Sequence, residues 1–219
     1  MAISLSKNQR VNLTKEQPSL KNVLVGLGWD SAELSDSNNK ETNGGRGFFG
    51  KLFKKATTAL KQNIDCDASI LVFKNNKCDA AVFYSHTRYD GDVIIHHGDN
   101  LVGNENNESS FKDCEQITIQ LDKLPNDINK LIVFVNIYNA ANRKQDFGMV
   151  KNSYIRLMNE DTGTELYRYD LNGQFPDMTS MEMGILERDN SGSWNFTATG
   201  TGSKFSTIDA IINFYRKMS

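Results

Sequence analysis

The residues with the most capacity for chemistry lie between positions 65 and 115. That stretch holds ten acids: Asp65, Asp67, Asp79, Asp90, Asp92, Asp99, Glu105, Glu108, Asp113 and Glu115. Four bases stand against them: Lys74, Lys77, Arg88 and Lys112. The local balance is −6, where the whole chain carries −2. Several of the acids sit beside Gly and Asn, as in Asp90-Gly91-Asp92, Gly98-Asp99-Asn100 and Gly103-Asn104-Glu105. Hard cations need this composition, because calcium takes six to eight oxygens from carboxylates, amide side chains and backbone carbonyls. In Asp65-x-Asp67 an extended backbone sends both carboxylates to the same side. Two like charges that close repel unless a cation lies between them. The alternative is that the Asp-Gly and Gly-Asp-Asn runs are simply turn formers. An EF-hand is excluded, since no Asp-x-Asp-x-Asp-Gly run with Glu at the twelfth position occurs.

Other chemistries find less support. His86, His96 and His97 are the three histidines. Neighbours on a strand point to opposite faces, so His96 and His97 do not chelate one ion together. No Gly-x-Ser-x-Gly elbow exists for a nucleophile. The run GGRGFFGK lacks the spacing of a phosphate-binding loop. Cys66, Cys78 and Cys114 form no Cys-x-x-Cys pair, and Cys66 and Cys114 read best as small apolar fillers. No enzyme is expected.

Strands must position these residues. Within NVLVGLGW (22–29), Val23, Val25, Leu27 and Trp29 share one face, and Gly26 and Gly28 on the other indicate a bulge or a close backbone approach. ASILVF (68–73) and DAAVFY (79–84) make a hairpin about Lys74–Cys78. LIVFVNIY (131–138) reads as a strand buried on both faces. Further strands are ITIQL (117–121), the pair SYIRLMN (153–159) and ELYRYDL (165–171), and a last hairpin of 181–188 with 193–199. Residues 3–13 alternate about a polar turn. From Thr207 to Met218, Ile208, Ile211, Ile212 and Tyr215 follow helical spacing. An all-β sandwich with a C-terminal helix is the expected fold, a single domain over 1–219. The near-neutral charge argues against a nucleic-acid partner. The N-terminus lacks an apolar signal core and no apolar run is long enough to span a membrane, so a cytoplasmic protein with reduced thiols is expected.

Segment 36–63 breaks the pattern. From Arg46 to Lys61 it carries five positive charges and no negative one. Phe48, Phe49, Leu52, Phe53, Ala56, Ala59 and Leu60 fall on one stripe of an amphipathic helix over about 46–61. Either the stripe packs onto the sandwich, or the helix meets an acidic partner or lies on an anionic membrane surface at the inner face.

Over nearly its whole length the chain resembles the TerD-type tellurium-resistance and stress-response proteins. The pieces that carry the likeness, in order, are ISLSKNQRVNL, VGLGWD, DCDAS, HHGDNLVG, DCEQI, DFGMVKNSYIRLMN, ELYRYDL and MEMGILERDNSGSWNFTATGTG. The resemblance implies a calcium-binding β-sandwich from bacterial stress operons, acting as an interaction module with partner proteins and not as an enzyme. It implies Asp65, Asp67, Asp99, Asn100, Asp113 and Glu115 as ligands of one or two calcium ions. Cys114 stands where the family carries an acid, Asn139 stands where it tends to carry one, and segment 36–63 is an insertion relative to its short members. The loop after Gly103 is longer than usual, with Glu105 or Glu108 available to replace a lost oxygen.

Overall fold

Alternation along β3 (Asn22–Ser31) sets the inside of the molecule. Val23, Val25, Leu27 and Trp29 are buried on one face, while Gly26 and Gly28 face the other way. A computed structural model describes residues 2–31, 64–98, 113–171 and 175–218. In chain order the other strands are β1 (Ile3–Ser4), β2 (Arg10–Asn12), β4 (Cys66–Lys74), β5 (Lys77–Val82), β6 (Arg88–Tyr89), β7 (Ile94–His96) and β8 (Glu115–Gln120). They continue with β9 (Ile128–Ile137), β10 (Val150–Asn159), β11 (Thr164–Asp170), β12 (Ser180–Arg188) and β13 (Trp194–Ser203). The helices are α1 (Leu13–Glu16), α2 (Ala140–Arg143) and α3 (Ile208–Met218).

Two sheets form a sandwich. Sheet A runs β1-β11-β10-β3-β8-β7-β6, and sheet B runs β2-β13-β12-β9-β4-β5. Between them lies one core, to which β3 and β8 contribute Val25, Leu27, Ile117 and Ile119, and β4 and β9 contribute Cys66, Ala68, Ile70, Val133 and Val135. Fully burying a side chain of this size stabilises by about 1.5–3 kcal/mol. The alternate residues of sheet B face outward. There Leu71, Phe73, Ile132 and Phe134 are covered by Ile208, Ile211 and Ile212 of α3. The C-terminal helix therefore explains why β9 reads as apolar on both faces.

Each expected hairpin forms: β4 with β5, β10 with β11 and β12 with β13. The N-terminal alternation does something different. β1 pairs in parallel with β11 in sheet A, whereas β2 pairs with β13 in sheet B. The turn between them carries Asn8 in the left-handed region, at φ 64°. The first twelve residues thus stitch the edges of both sheets. Among the described residues no helix is long and apolar enough to cross a membrane.

Candidate functional site

Asp65 and Asp67 flank Cys66 at the start of β4, and both are buried. Cys66 and Ala68 point into the core. Asp67 therefore lies on the outer face of sheet B, the face that α3 covers further along. It pairs in register with Asn136 of β9, whose Nδ2 donates to Asp67 Oδ2 at 3.3 Å. Asp65 has Arg143 of α2 beside it, with Nη1 3.6 Å from Oδ2. The same guanidinium lies over the Tyr138 ring at 5.4 Å.

Glu115 opens β8 and points inward, only 1% exposed. Its Oε2 accepts the Ala68 backbone N–H at 2.9 Å, so the acid of sheet A reaches the residue after Asp67 in sheet B. The same oxygen lies 3.0 Å from His96 Nε2. On the other side of that ring, the Gly98 N–H donates to Nδ1 at 3.1 Å. A backbone N–H can only donate, so Nδ1 accepts and Nε2 carries the proton given to Glu115. One imidazole, itself buried, therefore bolts together Gly98, Glu115 and the start of β4. His97 points away from it. Its Nε2 meets Thr118 Oγ1 at 2.7 Å, and that hydroxyl donates to Glu160 at 2.8 Å. The two histidines do face opposite ways.

Asp113 lands elsewhere. It folds back over Gly26 on the outer face of sheet A, where an added Cβ would collide with its carboxylate. Arg156 grips it with Nε at 2.8 Å and Nη2 at 2.9 Å. Tyr154 Oη and Gln116 Nε2 also donate to it, at 3.0 and 2.9 Å. Burial, and then the Asp113 charge, push the Tyr154 phenol well above its usual range. A two-pronged guanidinium–carboxylate pair is strong and geometrically fixed, so this carboxylate is already neutralised by protein.

The six expected ligands are thus not one cluster. Asp65 and Asp67 lie at the start of β4, with Asp67 on the outer face of sheet B; Glu115 reaches the same strand from inside the sandwich through the Ala68 N–H, and Asp113 is held on the outer face of sheet A. Asp99 and Asn100 lie outside the described residues, as do Glu105, Glu108 and the expected helix over 46–61. Among the described residues no group of three or more His, Cys, Asp or Glu side chains is placed to hold a metal ion. Asn139 sits before α2 with a left-handed backbone, φ 54°, and its Oδ1 accepts from Asn142 at 2.6 Å. The three cysteines are free and buried. Burial, with Asp67 and Asp65 adding to it, raises the Cys66 thiol well above its ordinary value. Cys66 and Cys114 belong to the core, as fillers do.

Sequence reasoning missed Asn136, Arg143 and Arg156, and weighed His96 without linking it to Glu115. For Arg156 a signal existed: an arginine at an outward position of an alternating strand, with two glycines in the strand beside it. No pattern in the sequence points to the His96 pin, because it depends on which strands become neighbours.

Comparison with known proteins agrees with this architecture. Residues 1–215 match the TerD domain. Stress response protein SCP2 of Bacillus subtilis (strain 168) is 37% identical over 218 residues, covering 98% of this chain and all of that one. Tellurium resistance protein TerD of an Alcaligenes species is 37% identical over 206 residues, covering 92% and 91% of the two chains. A solved homologue of the telluride resistance protein TerD from Streptomyces coelicolor A3(2) superposes with a TM-score of 0.59 at 19% identity, covering 91% of this chain and 98% of that one. The chain belongs to the TerD family of tellurium-resistance and stress-response proteins.

Proposed function

We propose that this protein is a calcium-dependent interaction module of the cytoplasmic stress response, and that it carries out no reaction of its own. The observation that supports this reading is the chain of contacts Gly98–His96–Glu115–Ala68. It ties the start of the Gly98-Asp99-Asn100 run to the start of the strand that bears Asp65 and Asp67. The donors are hard oxygens, the type calcium selects. Asp65 and Asp67 supply too few by themselves, so Asp99 and Asn100 complete the set. Glu115 serves through its bonds to His96 and Ala68, which set the spacing of the two segments. Asp113 stands apart, because Arg156 already neutralises it.

Calcium binds only the folded chain in this reading. It stabilises the fold by about 2.7 kcal/mol at a hundredfold excess over the dissociation constant. It also removes most of the local negative excess and presents the acidic end to protein partners. The test is calorimetric titration of chelator-stripped protein with calcium, with thermal melts alongside. Micromolar binding and a raised melting temperature, both lost in Asp67→Asn and Asp99→Asn, are expected. Absence of binding at millimolar calcium removes the reading. A second reading, contact with an anionic membrane surface, rests on the five unopposed charges of residues 46–61.

A further inference from the structure

A second feature lies on the outer face of sheet B, beside the acidic end. It is a cleft of about 500 Å³, within the range of small-molecule sites. Its floor is the cross-strand pair Asp67 and Asn136, both about 4% exposed. Tyr84 and Tyr138 form one wall, their rings edge-to-face with centroids 6.4 Å apart. Both rings are substantially exposed, at 40% and 44%. The opposite wall is the start of α3, from Ser206 to Asp209.

The chemistry of the lining selects the ligand. Among the described residues the charged side chains that line it are acids, Asp67 and Asp209, while the Arg143 guanidinium stands beside it over the Tyr138 ring. Asn136 Oδ1 is buried at the floor, and among the described residues no hydrogen-bond donor reaches it. The start of α3 does not turn the cleft into an anion site. Thr207 Oγ1 accepts the Ala210 N–H at 3.2 Å, and Asp209 places a negative charge in the first turn. Aromatic faces with carboxylates attract a cation, and a lone metal ion does not fill this volume. We propose that the cleft binds a small organic molecule bearing a primary ammonium group. The ammonium group donates to Asp67 and brings N–H donors to the floor that Asn136 shares. Tyr84 and Tyr138 hold its alkyl chain and screen it from water.

This site is independent of calcium coordination except at Asp67, so the decisive variants avoid that residue. Tyr84 and Asp209 are exposed, and changing them does not threaten the core. The experiment is calorimetric titration of the full chain, in chelator, with 1,4-diaminobutane. The uncharged 1,4-butanediol and the tetramethylammonium ion serve as controls. Saturable binding of the diamine with one site is expected. The diol should fail to bind, and tetramethylammonium should bind more weakly for want of N–H donors. Affinity should fall about tenfold in Tyr84→Ala and in Asp209→Asn, with unchanged melting temperatures in both. No saturation at millimolar diamine, equal binding of the diol, or wild-type affinity in both variants overturns the proposal. Equal binding of tetramethylammonium overturns the assignment of a primary ammonium.

Discussion

At the scale of single residues, Asp113 shows how a sequence motif is reassigned by its surroundings. Beside Glu115 in DCEQI it reads as one of two acids serving one site. In the fold the two residues point to opposite sides of sheet A, because positions 113 and 115 straddle the point where β8 begins. Asp113 is fully buried at the side chain and Arg156 is 14% exposed, so neither charge is well hydrated. Removing one partner of such a pair leaves the other charge uncompensated, at a cost of about 3–5 kcal/mol. Arg156→Met should therefore destabilise by about that amount in urea denaturation. The double change Arg156→Met/Asp113→Asn should recover a large part of the loss. If the double variant is no more stable than Arg156→Met, the ion pair is not what holds this face. Gly26 belongs to the same argument. Its lack of a side chain is what lets Asp113 lie flat on the sheet; the glycines of NVLVGLGW suggest a bulge or a close backbone approach, whereas the group over Gly26 is a side-chain carboxylate.

Among the elements, strands were legible wherever alternation was long. β3, β4, β9, β10, β11, β12 and β13 all carry seven or more residues, and each was visible in the sequence. β6 and β7 were not, since two and three residues hold too little pattern to stand out from a loop. The short α1 and α2 escaped for the same reason. α3 was visible because Ile208, Ile211 and Ile212 repeat at helical spacing, and the outer cluster they build on Leu71 and Phe134 confirms the face. The candidate site was legible only in part. Acid spacing singled out Asp65 and Asp67, whereas strand neighbours decide that Glu115 meets the Ala68 N–H from inside the sandwich and that Asp113 faces out of sheet A. The basic stripe of residues 46–61 is an element read from sequence alone. If it works at a membrane, its five charges contribute about 1 kcal/mol each at an anionic surface. The wild-type protein should then co-sediment with phosphatidylserine vesicles, and Phe49→Asp/Phe53→Asp should stay in the supernatant. Equal behaviour of the two proteins would show that the stripe has no role at a membrane.

For the molecule as a whole, several of the bonds that tie distant parts together are phenol-to-carboxylate contacts. Tyr89 in sheet A donates to Asp79 in sheet B at 3.1 Å, across the open edge of the sandwich. Tyr167 of β11 donates to Glu16 of α1 at 2.6 Å, and Tyr215 of α3 to Glu182 of β12 at 2.8 Å. With Tyr154 on Asp113, four of the seven tyrosines act this way. Burial, and then the carboxylate each one faces, raise all four phenols, Tyr89 to about 12. Near pH 10 the unfolded chain begins to release these protons while the folded chain retains them. The stability they confer is full below that point and falls as pH rises through it, since the unfolded state then binds fewer protons than the native one. Alkaline unfolding should consequently be cooperative. Phenolate absorbance from these four should appear in the same step as the loss of circular dichroism, above the ordinary phenol range. Tyr167→Phe should diminish that step by one phenol. A gradual rise of phenolate absorbance centred near pH 10, with the dichroism intact, would mean that these contacts do not link the parts of the sandwich.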